Sequence, residues 1–438
     1  MRRFLITLAA VLITVSVNAQ KKWTLKDCID YAMQNNIDLQ QARLSKQSAT
    51  EDRKQAQAAL LPSLSASTNQ SVGYRPWTES TAGGGSVSKT YYNGTYGLNA
   101  SWTVWNGNQN RNQVRLDEVA EEQAELNVAT AANSIQEKIA QYYVQILYMT
   151  EAIEVNKQSL ETSKKNEERG KQMVEVGKMS KADLAQLTAQ RAGDEYNIVE
   201  AESNLAHYKL QLKQLLEITD DEGFDIVIPS ASDQQALAEI PALGLVYETA
   251  LAHRPEIQSS KLGIKSSDLK IDMAKAGYLP TISVTGSVGT STNSSNTNGW
   301  GNQMKTNMDA SVGASVSIPI FDNRKTKTAI NKAKIQREQA VLDLQDQQKQ
   351  LYATIEGYWL DAQTNQQKFK TALTTVESEQ ASFDLLSEQF NLGLKNIIEL
   401  MTGKDKLLTA LQNKLQSKYM TILDQQLLRF YEGKEMSI

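Results

Sequence analysis

The chain has 438 residues, a formal net charge of −4, 22% charged and 40% hydrophobic residues, one cysteine and two histidines. Mild acidity is the wrong sign for a nucleic-acid binder, which needs a basic face. The single Cys28 excludes an internal disulfide framework, and His207 and His253, in unrelated segments, cannot assemble a metal site of His or Cys type.

At the N-terminus, Arg2 and Arg3 precede an apolar run, Phe4–Val17, and Val17-Asn18-Ala19 forms an A-x-A-like cleavage site. This is the layout of a secretory signal peptide over residues 1–19, too short for a spanning helix. The mature chain is expected to begin near Gln20, and loss of Arg2 and Arg3 takes the net charge from −4 to −6. No cysteine follows the site, so no lipid anchor is expected there. No other apolar run reaches the roughly 18 residues of a membrane helix, and the bias toward Gln, Ala, Lys, Glu and Leu is that of long helices. An exported chain of this kind would cross a membrane with strands, in an outer membrane.

An internal repeat sets the organisation. A shift of 218 pairs "TLKDCIDYAMQNNIDLQQARL" with "ALGLVYETALAHRPEIQSSKL", bringing Leu25 onto Leu243, Ala32 onto Ala250, Leu39 onto Ile257 and Leu61-Pro62 onto Leu279-Pro280. Beyond the first strand the shift becomes 216, matching Gly97 to Gly313, Trp105 to Phe321, Tyr142 to Tyr358 and Gly177 to Gly393. Repeat 1 is expected over residues 20–216, a connecting region with "FDIVIP" over 217–241, and repeat 2 over 242–438.

Each repeat opens with helical signal, from about Thr24 to Leu60 with a break near Asn35-Asn36, and from about Leu243 to Tyr278. Each signal ends at a proline, which suits the first residue of a strand. Strands are expected at about 62–74, 91–105, 280–290 and 307–321. The clearest is Met308–Phe321, where Met308, Ala310, Val312, Ala314, Val316, Ile318 and Ile320 alternate with polar residues. That period of two gives one apolar and one polar face, at a length suited to a tilted membrane strand. The loops "TESTAGGGSVSK" and "STNSSNTNGWGN" read as small, polar external loops, and Trp77, Tyr92, Trp102 and Trp300 fall where an interfacial aromatic girdle is expected.

Two long helical runs follow, from residue 108 to about 174 and from 323 to about 390, without proline. Ile135, Ile139, Tyr142, Ile146, Met149 and Ile153 step by four and three, as do Val341, Leu344, Leu351, Ile355, Tyr358 and Ala362 to a first approximation. This is a coiled-coil seam. Each run ends at a glycine turn, "VEVGKMSKADL" and "FNLGLKNIIEL", and a return helix leads to about Leu216 and about Glu432. The chain is thus expected to be mainly α, with two long helical hairpins and four membrane strands. Four strands cannot close a membrane barrel, and open edges are not tolerated in lipid. Two copies would give eight strands with a filled interior, whereas three give twelve with a lumen for the Ser, Thr, Asn and Gly faces.

Over its whole mature length the chain resembles the TolC-like outer-membrane efflux proteins. The repeated opening motifs, and the helix-to-strand junctions "ALLPSLSAS" and "GYLPTISVTGSVG", carry the resemblance. It implies a trimeric twelve-stranded β-barrel on an α-helical barrel, with the helical part in the periplasm of a Gram-negative-type bacterium. It also implies docking of a periplasmic adaptor and an inner-membrane pump, and passive export of small molecules or drugs. The alternatives are a conduit for type I protein secretion, or an exported coiled-coil scaffold.

In the family the tip is held by a tyrosine and a basic residue tied to acids on neighbouring helices, with rings of aspartate. The resemblance places Phe390 at the tyrosine, Lys395 at the basic position, Glu399 at the first aspartate and Thr402 at the second, with Asp183 as the acidic partner. Phe390 lacks the hydroxyl, Lys395 lacks arginine's bidentate fork, and Thr402 removes one acidic ring. A single Glu399 ring and modest cation preference are therefore expected, against the plainer reading that these are solvated helix charges. Gly177, Lys178, Gly393 and Leu394 form the turns against which an adaptor would fit, and the glycines also serve as helix caps. No enzyme is expected, and no cofactor. Gly83-Gly84-Gly85-Ser86 lacks the Lys-Ser/Thr of a phosphate loop, and Gly177-Lys178 lacks both the following Ser/Thr and the earlier glycine.

Overall fold

The computed structural model describes residues 22–76, 89–219, 223–229 and 232–437. The signal peptide, Trp77 and the Gly83–Ser86 loop lie outside the described residues.

In chain order the elements are β1 (Lys22–Trp23), α1 (Leu25–Asn35), α2 (Ile37–Ala58), β2 (Ser63–Tyr74), β3 (Thr90–Trp105), α3 (Gln109–Glu175) and α4 (Lys181–Leu215). They continue with β4 (Asp225–Ile226), α5 (Asp233–Ala236), α6 (Leu243–His253), α7 (Pro255–Lys275), β5 (Thr281–Asn293), α8 (Trp300–Thr306), β6 (Asp309–Ser317), α9 (Lys325–Asn391) and α10 (Ile397–Tyr431). The helix starts follow local chemistry. Thr24 and Asp27 form a capping box on α1. The break before α2 is made by Asn36, whose Oδ1 accepts the Leu39 N–H at 3.1 Å while its Nδ2 donates to the Leu215 carbonyl at 3.0 Å. At the equivalent break in repeat 2, Pro255 takes the first helical position, where its missing N–H is not needed.

The duplication extends to the backbone. Every left-handed residue among the described ones has a counterpart 216 positions away: Gly107 with Asn323, Asn108 with Arg324, Gly177 with Gly393 and Glu217 with Gly433. Such positions disfavour L side chains, so their recurrence reflects one folding unit used twice.

The chain divides into two compact units. One, residues 43–127 and 258–346, holds the sheet, with order β2-β3-β5-β6 and every pairing antiparallel. Register aligns like with like across all four strands. Leu64, Ala100, Gly286 and Val312 form one row, and Ala66, Leu98, Val288 and Ala310 the next. On the opposite face Ser65, Asn99, Ser287 and Ser311 are in register, and the Ser287 and Ser311 hydroxyls lie 2.8 Å apart. In the chain alone much of the sheet is open, Val312 on the apolar face being 86% exposed. Within the described residues β2 and β6 each keep one unpaired edge.

Three expectations are corrected here. The fourth strand was expected over 307–321 but ends at Ser317: the alternation persists through Ile318 and Ile320, yet Pro319 has no N–H to give a ladder. The loop read as small and polar contains α8, and β5 runs on to Asn293 beneath it. The two-residue parallel pairing of β1 with β4 went unforeseen, being too short to carry a period.

The other unit, residues up to 42, 128–257 and 347 onward, has a core of Leu25, Cys28, Ile139, Tyr143, Ile146, Leu212, Phe369, Tyr419 and Leu427 among others. Of the expected seam, Ile135, Ile139, Ile146 and Ile153 are buried and Tyr142 and Met149 half-buried. Ala140, Tyr143, Val144 and Leu147 beside it are buried too, so the buried face is wider than a coiled-coil stripe. Near its C-terminal end α10 is enclosed on every side, so its polar side chains need protein partners. Tyr419 donates to Glu151 at 2.6 Å, Gln425 to the Ala238 carbonyl at 3.1 Å, and Lys418 lies 3.5 Å from Asp233. Asp424 accepts from Asn365 at 2.9 Å, and burial pushes its carboxyl up to about 7.

Candidate functional site

The two hairpin tips are built alike. Gly177 and Gly393 sit at φ +73° and +75° with open space around the position of a Cβ, so the backbone conformation itself is what favours glycine. In the first tip the Lys178 N–H reaches the Met173 carbonyl at 2.8 Å and the Gly177 N–H the Val174 carbonyl at 3.0 Å. In the second, Leu394 bonds to Gln389 at 2.9 Å and Gly393 to Phe390 at 3.0 Å. Both are Schellman turns. Each return helix is then capped by a side chain, Ser180 accepting from the Asp183 N–H at 3.1 Å and Asn396 from the Glu399 N–H at 2.9 Å. Asp183 and Glu399 are thus the same position of the repeat, the third residue of a helix, where an acid also favours the helix dipole.

Phe390 is 4% exposed and packs with Leu187, Ile397 and Leu400 in a small core behind the tips. A tyrosine hydroxyl there would need a buried partner, so the departure to phenylalanine suits this location. Lys395 Nζ lies 2.5 Å from Glu399 Oε1 on its own helix. That ammonium, with the Asn396 N–H, holds the Glu399 carboxylate below its usual range. No ion pair joins Lys395 to Asp183 among the described residues. Lys178, Leu394 and Thr402 are exposed, and Leu392, Leu394 and Ile398 make the second tip notably apolar.

A charged link between the hairpins lies further along the helices, at residues the sequence did not single out. Lys404 of α10 is ion-paired with Asp194 of α4, both side chains at least 95% buried. The Ser163 hydroxyl of α3 donates to the same carboxylate at 2.5 Å. Beside it, Gln190 donates to Asp405 at 3.0 Å. The repeat positions equivalent to Lys404 and Asp194 are Thr188 and Ala410, so the pair breaks the two-fold pattern, the one signal that could have marked it. Packing shows a matching swap. Gly170 faces Leu187 in the first hairpin, and Gly403 faces Leu386 in the second. Gly170 and Leu386 are equivalent positions, as are Leu187 and Gly403. Small and large exchange sides while the contact is kept.

One unit holds a four-stranded sheet with an apolar and a polar face, and the other holds the tips of two long helical hairpins. The chain belongs to the outer membrane efflux protein family, whose model matches residues 28–216 and again 246–434, once per repeat. It is similar to the outer membrane efflux protein BepC of Brucella suis biovar 1, 21% identical over 92% of this chain and 84% of that one. It is also similar to the alkaline protease secretion protein AprF of Pseudomonas aeruginosa, 21% identical over 93% and 84%. Its fold matches crystallised CusC, studied for folding and transmembrane channel formation, with a TM-score of 0.80 at 17% identity, covering 96% of this chain and 93% of that one. The protein is an outer-membrane efflux channel. No helix among the described residues is long and apolar enough to cross a membrane.

Proposed function

We propose that the chain is the exit duct of a tripartite efflux system and works as a homotrimer. In this reading it passively conducts small molecules handed on by an inner-membrane pump through a periplasmic adaptor. The observation that carries the trimer is the four-stranded sheet whose two outer strands each keep an unpaired edge among the described residues. An unpaired strand edge in hydrocarbon costs several kcal/mol per group, so copies must close the barrel, and three give twelve strands around a lumen. Exposed Tyr196, Val199 and Leu210 on α4, spaced near the coiled-coil step, also call for helical neighbours. Native mass measurement of the detergent-extracted protein is expected to give three chains; a stable monomer or dimer would contradict this reading.

At the tips, Asp183, Phe390, Lys395 and Glu399 form the periplasmic aperture, with Gly177, Lys178, Gly393 and Leu394 presented to the adaptor. Phe390 acts by packing, Asp183 by charge in the first hairpin's turn, and three copies of Glu399 ring the opening. Each glutamate is partly neutralised by its own Lys395, so the ring prefers cations only modestly. Glu399→Gln keeps the capping box, since glutamine can fill that role, and is expected to abolish the cation preference in reversal-potential measurements. Unchanged selectivity would remove Glu399 from the aperture. The similarity to AprF supports a protein-secretion duct as second reading; in either case the pump selects the cargo.

A further inference from the structure

The apolar face of the sheet changes character before the strands end. On β5, Ile282, Val284 and Val288 give way on the same face to Thr290 and Thr292, whose register partners across β3 and β2 include Tyr96 and Gln70. From Ile282 to Val288 is about 20 Å along a strand, and less in height once the strand tilts. The apolar band of a membrane barrel is about 25 Å tall. On β5 and β2 the face thus turns to hydroxyls and an amide within a shorter span than that band, while Tyr96 of β3 stays in the row of Thr290.

α8 covers that row. Trp300 packs edge-on against Tyr96, ring centroids 6.3 Å apart at 90°. The Thr290 hydroxyl donates to the Met304 carbonyl at 2.9 Å. Gln303, buried beneath the helix, accepts the Asn293 N–H at 2.8 Å and donates to the Asn298 carbonyl at 2.7 Å. The β5–β6 connection is therefore folded back onto the apolar face at the end remote from the helices. What it presents outward is Trp300, 58% exposed, together with the exposed Gly301, Asn302, Lys305 and Thr306.

We propose that α8 is an interfacial helix seated in the outer leaflet, at the boundary between headgroups and acyl chains. Trp300 lies in that boundary and Lys305 reaches the lipid phosphates. The occupant is the lipid surface because α8 lies on the sheet's apolar face, covers the polar row of β5 and holds an exposed tryptophan there. Tryptophan favours this depth and a lysine can extend to its polar side. The inference rests on the reading that the sheet spans the outer membrane.

The test uses the full-length protein in phosphatidylcholine–phosphatidylglycerol vesicles with lipids brominated either near the glycerol or near the chain end. The Trp300 signal is the difference between wild type and Trp300→Phe. It is expected to be quenched at least about two-fold more by glycerol-side bromines than by chain-end bromines, and weakly by aqueous iodide. Gln303→Ala, which frees the helix but keeps the tryptophan, is expected to raise iodide quenching. Iodide quenching without bromine quenching in wild type would place α8 in water and overturn the proposal. The Trp102→Phe difference separates the two readings: Trp102, on the sheet itself, stays bromine-sensitive if only the α8 assignment fails.

Discussion

Lys404→Ala is expected to destabilise the chain by about 3–5 kcal/mol, because it leaves the Asp194 carboxylate buried without its counter-charge. The pair is almost wholly enclosed, and Ser163 supplies only one neutral hydrogen bond to the remaining acid. Removing both charges is a different experiment. Asp194→Leu with Lys404→Met replaces the pair by apolar side chains of similar size, and such replacements are often neutral or stabilising by about 1–4 kcal/mol. Thermal unfolding followed by the helical circular-dichroism signal distinguishes the two. A large loss for the single variant with recovery in the double identifies a pair kept for the way it joins α4 to α10, not for net stability. Equal losses would show that this site depends on packing alone.

Asp424→Asn is expected to act with a sign set by pH. Burial raises the Asp424 carboxyl to about 7 from an ordinary value of 3.8, and Asp361 adds to the shift while Asn365 opposes it. The folded chain therefore holds this proton more tightly than the unfolded chain. Stability from that proton is fully present below the unfolded value and is lost as pH rises toward the folded one. The whole window is worth up to about 4 kcal/mol at about 1.4 kcal/mol per pKa unit. Asparagine has no proton to lose and can still accept the Asn365 bond. The variant should match wild type at about pH 4 and gain most at about pH 8, read as the difference between paired melts. A gain that does not grow with pH would mean that Asp424 is ionised in the fold throughout.

The parts of this architecture legible in the sequence were those with a period. Alternation marked the strands, the four-three step marked the hairpins, and the shift of 216 linked Gly177 with Gly393. Short elements were not legible: β1 and β4 have two residues each, and α8 lies in a stretch whose composition reads as loop. Nor was the Lys404–Asp194 contact, since a pair 210 residues apart leaves no trace in local periodicity. Residue-by-residue analogy supplied the tip assignments. It did not foresee that Lys395 would turn to its own helix, because a glutamate four residues on is the nearest acid a lysine there can reach.

Planar-bilayer recording of the purified, detergent-extracted protein decides whether this chain forms a conducting channel from shared strands. Discrete conductance steps with modest cation preference, from a species that carries three chains, are the expected result. A protein that remains soluble without detergent and never inserts would contradict the account, leaving the helical hairpins as an exported scaffold.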